Sequence, residues 1–323
     1  MNVLITGGTG FIGKQIAKEI LKTGSLTLDG KQAKPIDKII LFDAFAGDDL
    51  PQDPKIEVVI GDITDKTIVA NITEKIDVVW HLAAVVSSAA EADFDLGMDV
   101  NLYGLLNLLE ELRKKQTTPR VIFASGCAVF GGQLPEVVTD DTVVTPKSSY
   151  GMQKAVGELL VSDYSRKGFI DGRVLRLPTI VVRPGKPNKA ASTFFSSITR
   201  EPLKGETAVC PVPPDTPVFI TSPRRCVESM IKAASISSDA LQDNRIIPLP
   251  GLTVTVKQML EALEKVAGKQ ATDLVRWQED KTIQRIVQSW PVQVKAEYAE
   301  SLGFQADENF ESIIQAHIED TQN

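Results

Sequence analysis

Histidine and cysteine are scarce in this chain, two and three respectively among 323 residues. His81 and His317 are too few for a histidine-rich metal centre. Cys127, Cys210 and Cys226 lack C-x-x-C spacing, so no zinc site is expected. An odd, sparse set of cysteines fits a reducing compartment better than a disulfide framework. Basic residues are outnumbered as well, 35 Lys and Arg against 42 Asp and Glu, a net charge of −7. That balance argues against a nucleic-acid partner, whose binding leans on excess cations, and against an anionic membrane surface. No run of 18 apolar residues occurs, so no membrane span is expected. Met1-Asn2 leads straight into Val3-Leu4-Ile5 with no secretion signal, which makes the cytoplasm the expected location. With 43% hydrophobic and 24% charged residues, the chain has the balance of a folded globular protein. Catalysis then falls to hydroxyls, Lys, Arg or carboxylates, or to a cofactor.

Short β-branched runs alternate with helical patterns through the first half. Residues 3–6, 39–42, 57–60, 77–81, 121–124 and 173–177 read as buried strands of a parallel sheet. Between them Ile12, Ile16 and Ile20 recur every fourth residue, and Gly24 stands where a helix C-cap belongs. Residues 102–112 form a leucine-rich helix, and Met152, Val156, Leu159 and Leu160 line one face of another. This alternation predicts the α/β class, a doubly wound parallel sheet. Six prolines between Arg183 and Asp215 then break up regular structure. A strand at 218–221, a helix at 227–234, a strand at 246–249 and a helix at 256–266 follow. The expected organisation is a dinucleotide-binding domain over 1–182, with parts of 218–250 returning to it. Residues 183–323 are expected to form mainly a smaller substrate lobe.

Thr6-Gly7-Gly8-Thr9-Gly10-Phe11-Ile12-Gly13 follows a predicted strand and opens a predicted helix, the context that a dinucleotide fingerprint requires. Gly7 allows the tight turn, Gly10 lets backbone approach a pyrophosphate, and Gly13 lets helix and strand pack closely. Phe11 and Ile12 begin the helix, whose first amides and dipole favour an anion. Gly8 to Lys14 also copies most of a P-loop, but Gln15 stands where Ser or Thr would hold magnesium. Asp43 ends the second strand, where an acid accepts hydrogen bonds from adenosine ribose hydroxyls and repels a 2′-phosphate, favouring NAD over NADP. Asp62-Ile63 follows the third strand, near the expected adenine edge.

Tyr150 and Lys154 are spaced to share one helix face. A tyrosine with a pKa near 10 is a poor base at neutral pH. Lowering it by ~3 units asks for about 4 kcal/mol of preferential phenolate stabilisation. Lys154 and an oxidised nicotinamide are the cations to supply it.

These motifs, with His81-Leu82-Ala83-Ala84, Asn101-Leu102-Tyr103-Gly104 and Val129-Phe130-Gly131, together resemble the extended short-chain dehydrogenase/reductases, an NAD-dependent epimerase/dehydratase family. The resemblance covers nearly the whole chain. It implies a Rossmann-type sheet, bound NAD, a catalytic Tyr–Lys pair, a C-terminal substrate lobe and a homodimer formed through the helices at 102–112 and 150–167. It also implies cofactor contacts from Ala83, Ala84, Asn101 and Pro178. One position departs: where the family places a Ser or Thr that holds the substrate oxygen, this chain has Gly126. Either Ser125 reaches in from one residue earlier as the substitute, both catalytic and substrate-binding, or activity is reduced, or the site is silenced. Cys127 reads as an inert buried thiol.

The run 176–192 resembles a subgroup of that family that oxidises a four-carbon sugar acid, D-erythronate, at C2 with NAD. A small sugar acid carries a carboxylate, and Arg183 or Lys186 is the cation placed to pair with it. Ser87 and Ser88, after the fourth strand, are candidates for its hydroxyls. The expected mechanism has phenolate Tyr150 removing the C2 hydroxyl proton as hydride passes to the nicotinamide, with Lys154 on the ribose and Ser125 polarising the oxygen. The alternatives are a nucleotide-sugar epimerase or dehydratase, and an NAD-binding regulatory protein.

Overall fold

In the computed structural model, which describes residues 1–30, 32–185 and 191–322, the apolar runs form one seven-stranded parallel sheet. Its strands are β1 (Asn2–Thr6), β2 (Lys38–Asp43), β3 (Ile56–Ile60), β4 (Val78–His81), β5 (Arg120–Gly126), β6 (Asp171–Leu177) and β7 (Ile246–Pro248). The order is β7-β6-β5-β4-β1-β2-β3. Strand order therefore reverses between β1 and β4, which pair from Val3↔Val78 to Thr6↔His81. In such sheets a ligand binds outside the C-terminal ends of the strands at this switch point.

Helices that cover the sheet include α1 (Phe11–Thr23), α2 (Lys66–Ile72), α3 (Gly104–Lys115) and α4 (Ser149–Arg166). On α1 the buried face is Gly13, Ile16, Ala17 and Ile20, and Gly24 ends the helix with φ 67°, its N–H donating to the Ile20 carbonyl. Only a residue without a Cβ adopts that conformation at no steric cost. A wider, π-helical stretch, Met98–Tyr103, leads into α3. The Ser148 hydroxyl accepts from the Gly151 N–H and so caps α4. Leu4, Phe42, Val79, Leu105, Leu108, Leu112, Phe123 and Val161 are buried together beneath α2, α3 and α4. Each such side chain contributes about 1.5–3 kcal/mol on burial.

Two features differ from expectation. The segment after α1, where no strand is expected, is a hairpin of Ser25–Leu28 with Gln32–Pro35. Asp29 and Gly30 turn it with positive φ, and Leu26 and Ile36 anchor it. The chain also divides into two compact units at different points. One is Met1–Val129, Ser148–Arg176 and Val227–Pro248, and the other is Phe130–Lys147, Leu177–Cys226 and Leu249–Asn323. The boundary expected at 182 falls after Arg176. Pro178 cannot donate a ladder hydrogen bond, and Thr179–Ile180 pairs with Pro217–Thr221 instead of extending β6. Residues 130–147 belong to the second unit, where Val137 pairs with Gln293. Residues 227–248 belong to the first, where Trp80 Nε1 donates to the Met230 carbonyl at 3.0 Å.

The second unit has a three-stranded sheet, Thr179–Ile180, Pro217–Thr221 and Leu252–Thr255. Helices α5 (Thr193–Leu203), α6 (Val256–Ala267) and α7 (Phe310–Gln322) accompany it. Its core gathers Val181, Phe195, Ile198, Ile220, Met259, Leu263 and Ile314. Among the described residues no helix is long and apolar enough to cross a membrane.

Candidate active site

The turn after β1 is built from backbone packed against backbone. Gly7 has φ +70°, and a Cβ there would lie 2.8 Å from the Ala83 nitrogen. A Cβ on Gly13 would lie 2.5 Å from the Gly7 carbonyl oxygen and 2.7 Å from Gly8 Cα. At Gly10 the only near atom would be the Gly7 oxygen, at 3.1 Å. Gly10 caps α1 without a side-chain hydrogen bond, so the first amides of the helix, at Phe11 and Ile12, keep their capacity for an anion. Asp43 lies beside the turn, its Oδ2 accepting from the Thr9 N–H at 3.2 Å. A glycine cradle closed to any Cβ, a helix N-terminus and an acid at the end of β2 together fit the pyrophosphate and ribose of NAD.

The neighbouring expected contacts divide. Asp62 is exposed after β3, its Oδ1 accepting from the Thr64 N–H at 2.8 Å. Ile63 is corrected: its side chain is buried in the core, filling the space that Gly104 leaves, where a Cβ would stand 2.6 Å from Ile63 Cγ2. Ala83 and Ala84 are half-buried beside the glycine turn, and the Ala83 N–H reaches Thr6 Oγ1 at 3.4 Å. Asn101 is corrected too. Its Oδ1 accepts from the Val85 N–H at 2.7 Å, and its Nδ2 donates to the Val85 carbonyl at 3.1 Å and to Gln153 Oε1 at 2.8 Å. Both amide protons are engaged, so Asn101 holds the loop after β4 to α4 and has none to offer a ligand.

Tyr150 and Lys154 stand one turn apart on α4. Lys154 is 3% exposed. Its Nζ donates to the Ala124 carbonyl at 2.8 Å and lies 5.5 Å from the centre of the Tyr150 ring. Burial pulls Lys154 down to about 8, with the Glu158 carboxylate pulling the other way. Burial pushes the Tyr150 phenol up to about 12. At neutral pH the protein alone thus holds a phenol beside an ammonium, and further positive charge is needed to make the phenolate. His81 is no rival base: burial and then the Lys154 charge pull it down to about 3, and its Nδ1 is 2.8 Å from the Thr6 hydroxyl.

Ser125 is corrected as the catalytic hydroxyl. It is buried, and its Oγ donates to Glu158 Oε1 at 2.6 Å. The alternation of β5 turns this side chain toward α4, where a carboxylate takes its proton. Gly126 ends the strand. Burial pushes the neighbouring Cys127 thiol up to about 12, which removes it as a nucleophile at neutral pH. Ser87 opens a short helix, Ser87–Ala92, and is half-buried. In the second unit Pro178 separates β6 from Thr179–Ile180. Arg183 is half-buried there, its N–H donating to Ser196 Oγ at 3.1 Å and its Nη2 to Ser192 Oγ at 3.4 Å. Among the described residues Arg183 pairs with no carboxylate. Lys186, its alternative, lies outside the described residues. Sequence reasoning missed Glu158, although it continues the four-residue spacing of Tyr150 and Lys154.

Comparison with known proteins adds four findings. The family model "NAD dependent epimerase/dehydratase family" matches residues 3–216. The chain is 52% identical over 321 residues to a D-erythronate dehydrogenase of Cupriavidus necator, covering 99% of this chain and 98% of that one. It is 46% identical over 320 residues to a D-erythronate dehydrogenase of Haemophilus influenzae, covering 99% of each. Among solved structures, a nucleoside-diphosphate-sugar epimerase from Agrobacterium tumefaciens superposes with a TM-score of 0.93 at 42% identity, over 99% of this chain and 94% of that one.

Proposed function

The chain belongs to the NAD dependent epimerase/dehydratase family, and on that premise we propose that it oxidises D-erythronate at its C2 hydroxyl with NAD, giving 2-oxo-D-erythronate. The observation that carries this is the near-full-length identity to two dehydrogenases named for that substrate. When bound, NAD supplies the hydride acceptor and a positive nicotinamide. Gly7, Gly10 and Gly13 with the first amides of α1 would hold its pyrophosphate. Asp43 would hold the adenosine ribose, with Asp62, Ala83, Ala84 and Pro178 as further contacts. Lys154 keeps two ammonium protons beyond the one donated to Ala124, enough to grip the nicotinamide ribose. Its charge, with that of the nicotinamide, draws Tyr150 toward the phenolate, and Tyr150 Oη takes the proton of the C2 hydroxyl. Ser87 is proposed for a substrate hydroxyl and Arg183 for the carboxylate.

The epimerase reading has one observation in its favour, the 42% identity to a solved structure named as a nucleoside-diphosphate-sugar epimerase. Incubation with NAD and D-erythronate separates the two. Stoichiometric NADH is expected here, whereas an epimerase leaves no net NADH and a regulatory NAD-binding protein turns nothing over. Arg183→Ala should raise KM for D-erythronate about 10- to 100-fold with NAD affinity unchanged, since hydrogen bonds to a charged partner contribute about 1.5–3 kcal/mol. An unchanged KM removes Arg183 from the proposal.

The proposal extends to a cytoplasmic homodimer. Phe94, Tyr103 and, on α4, Leu159 expose apolar side chains, Leu159 to 67%, which supports association through this region. Light scattering should give twice the 35.1 kDa chain mass; a single-chain mass rejects the dimer.

A further inference from the structure

Glu158 follows Lys154 by one turn and Tyr150 by two, so the three side chains share one face of α4. Its carboxylate, 1% exposed, is gripped by two strands of the sheet. From β5, Ser125 Oγ donates to Oε1 at 2.6 Å. From β6, Arg176 Nε donates to Oε1 at 3.0 Å and Oε2 at 3.2 Å, and Nη2 to Oε2 at 2.7 Å. The residue before Ser125 is Ala124, whose carbonyl accepts from Lys154 Nζ at 2.8 Å. Consecutive residues of β5 therefore hold consecutive turns of α4, one through the lysine and the next through the glutamate.

A buried ion pair is a weak source of stability, because desolvation offsets most of its attraction and an apolar pair of the same volume serves as well. One set directly under a buried lysine has a use that an apolar pair could not have. We infer that Glu158 is a positioning residue for the Tyr150–Lys154 pair: through Ser125 and Arg176 it fixes the seat of α4 on β5 and β6 and sets a negative charge beneath the Lys154 ammonium. The inference rests on the proposed Tyr–Lys chemistry.

The groups around Lys154 give the sign of the effect. Tyr150 and Glu158 face it from its own helix and His81 from β4, while Arg176 from β6 and Cys127 from the turn after β5 face Glu158. His81 is neutral and Cys127 protonated at neutral pH, so Glu158 and Arg176 are the charges that act on the pair. Glu158→Gln keeps the shape and an acceptor oxygen but removes the negative charge, leaving Arg176 without its counter-ion there. More positive surroundings favour phenolate over phenol and amine over ammonium. Both limbs of the kcat/KM profile should then move to lower pH, the Tyr150 limb by about one unit for a unit charge two helical turns away and the Lys154 limb by about two units for one a single turn away, at an effective dielectric constant near 20.

The experiment uses the full chain with NAD and D-erythronate. Glu158→Gln is expected to shift the limbs down by about one to two pH units and to lower kcat about 10- to 100-fold, the scale of a misplaced catalytic pair, with KM little changed. Glu158→Gln/Arg176→Gln, which restores local neutrality, should return the limbs to their original pH. A folded Glu158→Gln enzyme with an unmoved profile overturns the inference. Should Glu158→Gln not fold, Ser125→Ala removes one hydrogen bond and no charge. It should lower kcat several-fold at an unshifted profile, and an unchanged kcat overturns the positioning role. If the original enzyme releases no NADH from D-erythronate, the substrate proposal fails by itself. The inference is then read from the tyrosinate absorbance of NAD-bound protein, with Tyr150→Phe as the blank. There too the Tyr150 titration should fall by about one pH unit in Glu158→Gln, and an unmoved titration overturns it.

Discussion

Tyr150→Phe is expected to lower kcat on D-erythronate by about 10³- to 10⁴-fold, at the upper end of what a positioned acid or base contributes, with NAD affinity within about twofold. The substitution removes one oxygen and keeps the ring that lies 5.5 Å from Lys154 Nζ, so the seat of the lysine should survive. Neither His81 nor Cys127 stands ready to take the proton. His81 is held neutral down to about 3, and burial keeps the Cys127 thiol protonated up to about 12. The acid limb of the pH profile should vanish with the phenol. In the original enzyme that limb falls as pH drops, because burial alone sets Tyr150 at about 12 and only nearby positive charge brings it down. Single-turnover NADH absorbance and an NAD titration measure both quantities. A loss smaller than about tenfold would assign proton removal to another group.

Gly13→Val is expected to weaken NAD binding at least about 100-fold and to cost about 1–3 kcal/mol of stability, the usual penalty of overpacking. All three nearest neighbours of the added Cβ would be backbone: the Gly7 oxygen at 2.5 Å, Gly8 Cα at 2.7 Å and the Gly8 oxygen at 2.9 Å. None can rotate aside, so α1 must lift from the turn and carry its first amides away from the pyrophosphate. Gly10→Ala provides the graded comparison. Its single close neighbour would be at 3.1 Å, a contact relieved by a shift of a few tenths of an ångström. Calorimetric NAD titration and thermal unfolding report the two effects separately. Tight NAD binding by a folded Gly13→Val protein would place the cofactor elsewhere.

The sheet was legible because buried parallel strands are apolar on both faces, so that residues such as Val3-Leu4-Ile5 announce themselves without a partner. The glycine turn was legible from its context between strand and helix. The hairpin at Ser25–Pro35 was not, since Leu26 and Ile36 are the buried apolar residues described for it and its strands are too short to show a period. The unit boundary escaped because pairings such as Thr179↔Ile220 join residues far apart in the chain. Ser125 was misread for a different reason. Alternation says which face of β5 a side chain takes, but a glutamate such as Glu158 is ordinarily assigned to solvent. The partner that claims the Ser125 hydroxyl was therefore invisible. Asn101 and Ile63 were carried over by position alone, and position does not say whether a side chain is already engaged.

The wide helical stretch Met98–Tyr103 has a consequence for how this chain tolerates changes of length. A π-type turn holds one residue more than an α-turn, and Asn101 sits within it. Deleting a single residue there would leave a regular helix of unbroken hydrogen bonding, with no loss of intrinsic helix stability. Because the wider turn already absorbs the extra residue, the segments on either side would keep their facing, and the change would fall on the residues inside the turn. A deletion just after Asn101 would carry its amide off the backbone of Val85 and off Gln153. The loop that flanks the cofactor crevice is thus anchored by a residue count as much as by a residue. A one-codon deletion in this stretch would be more damaging than most substitutions in it.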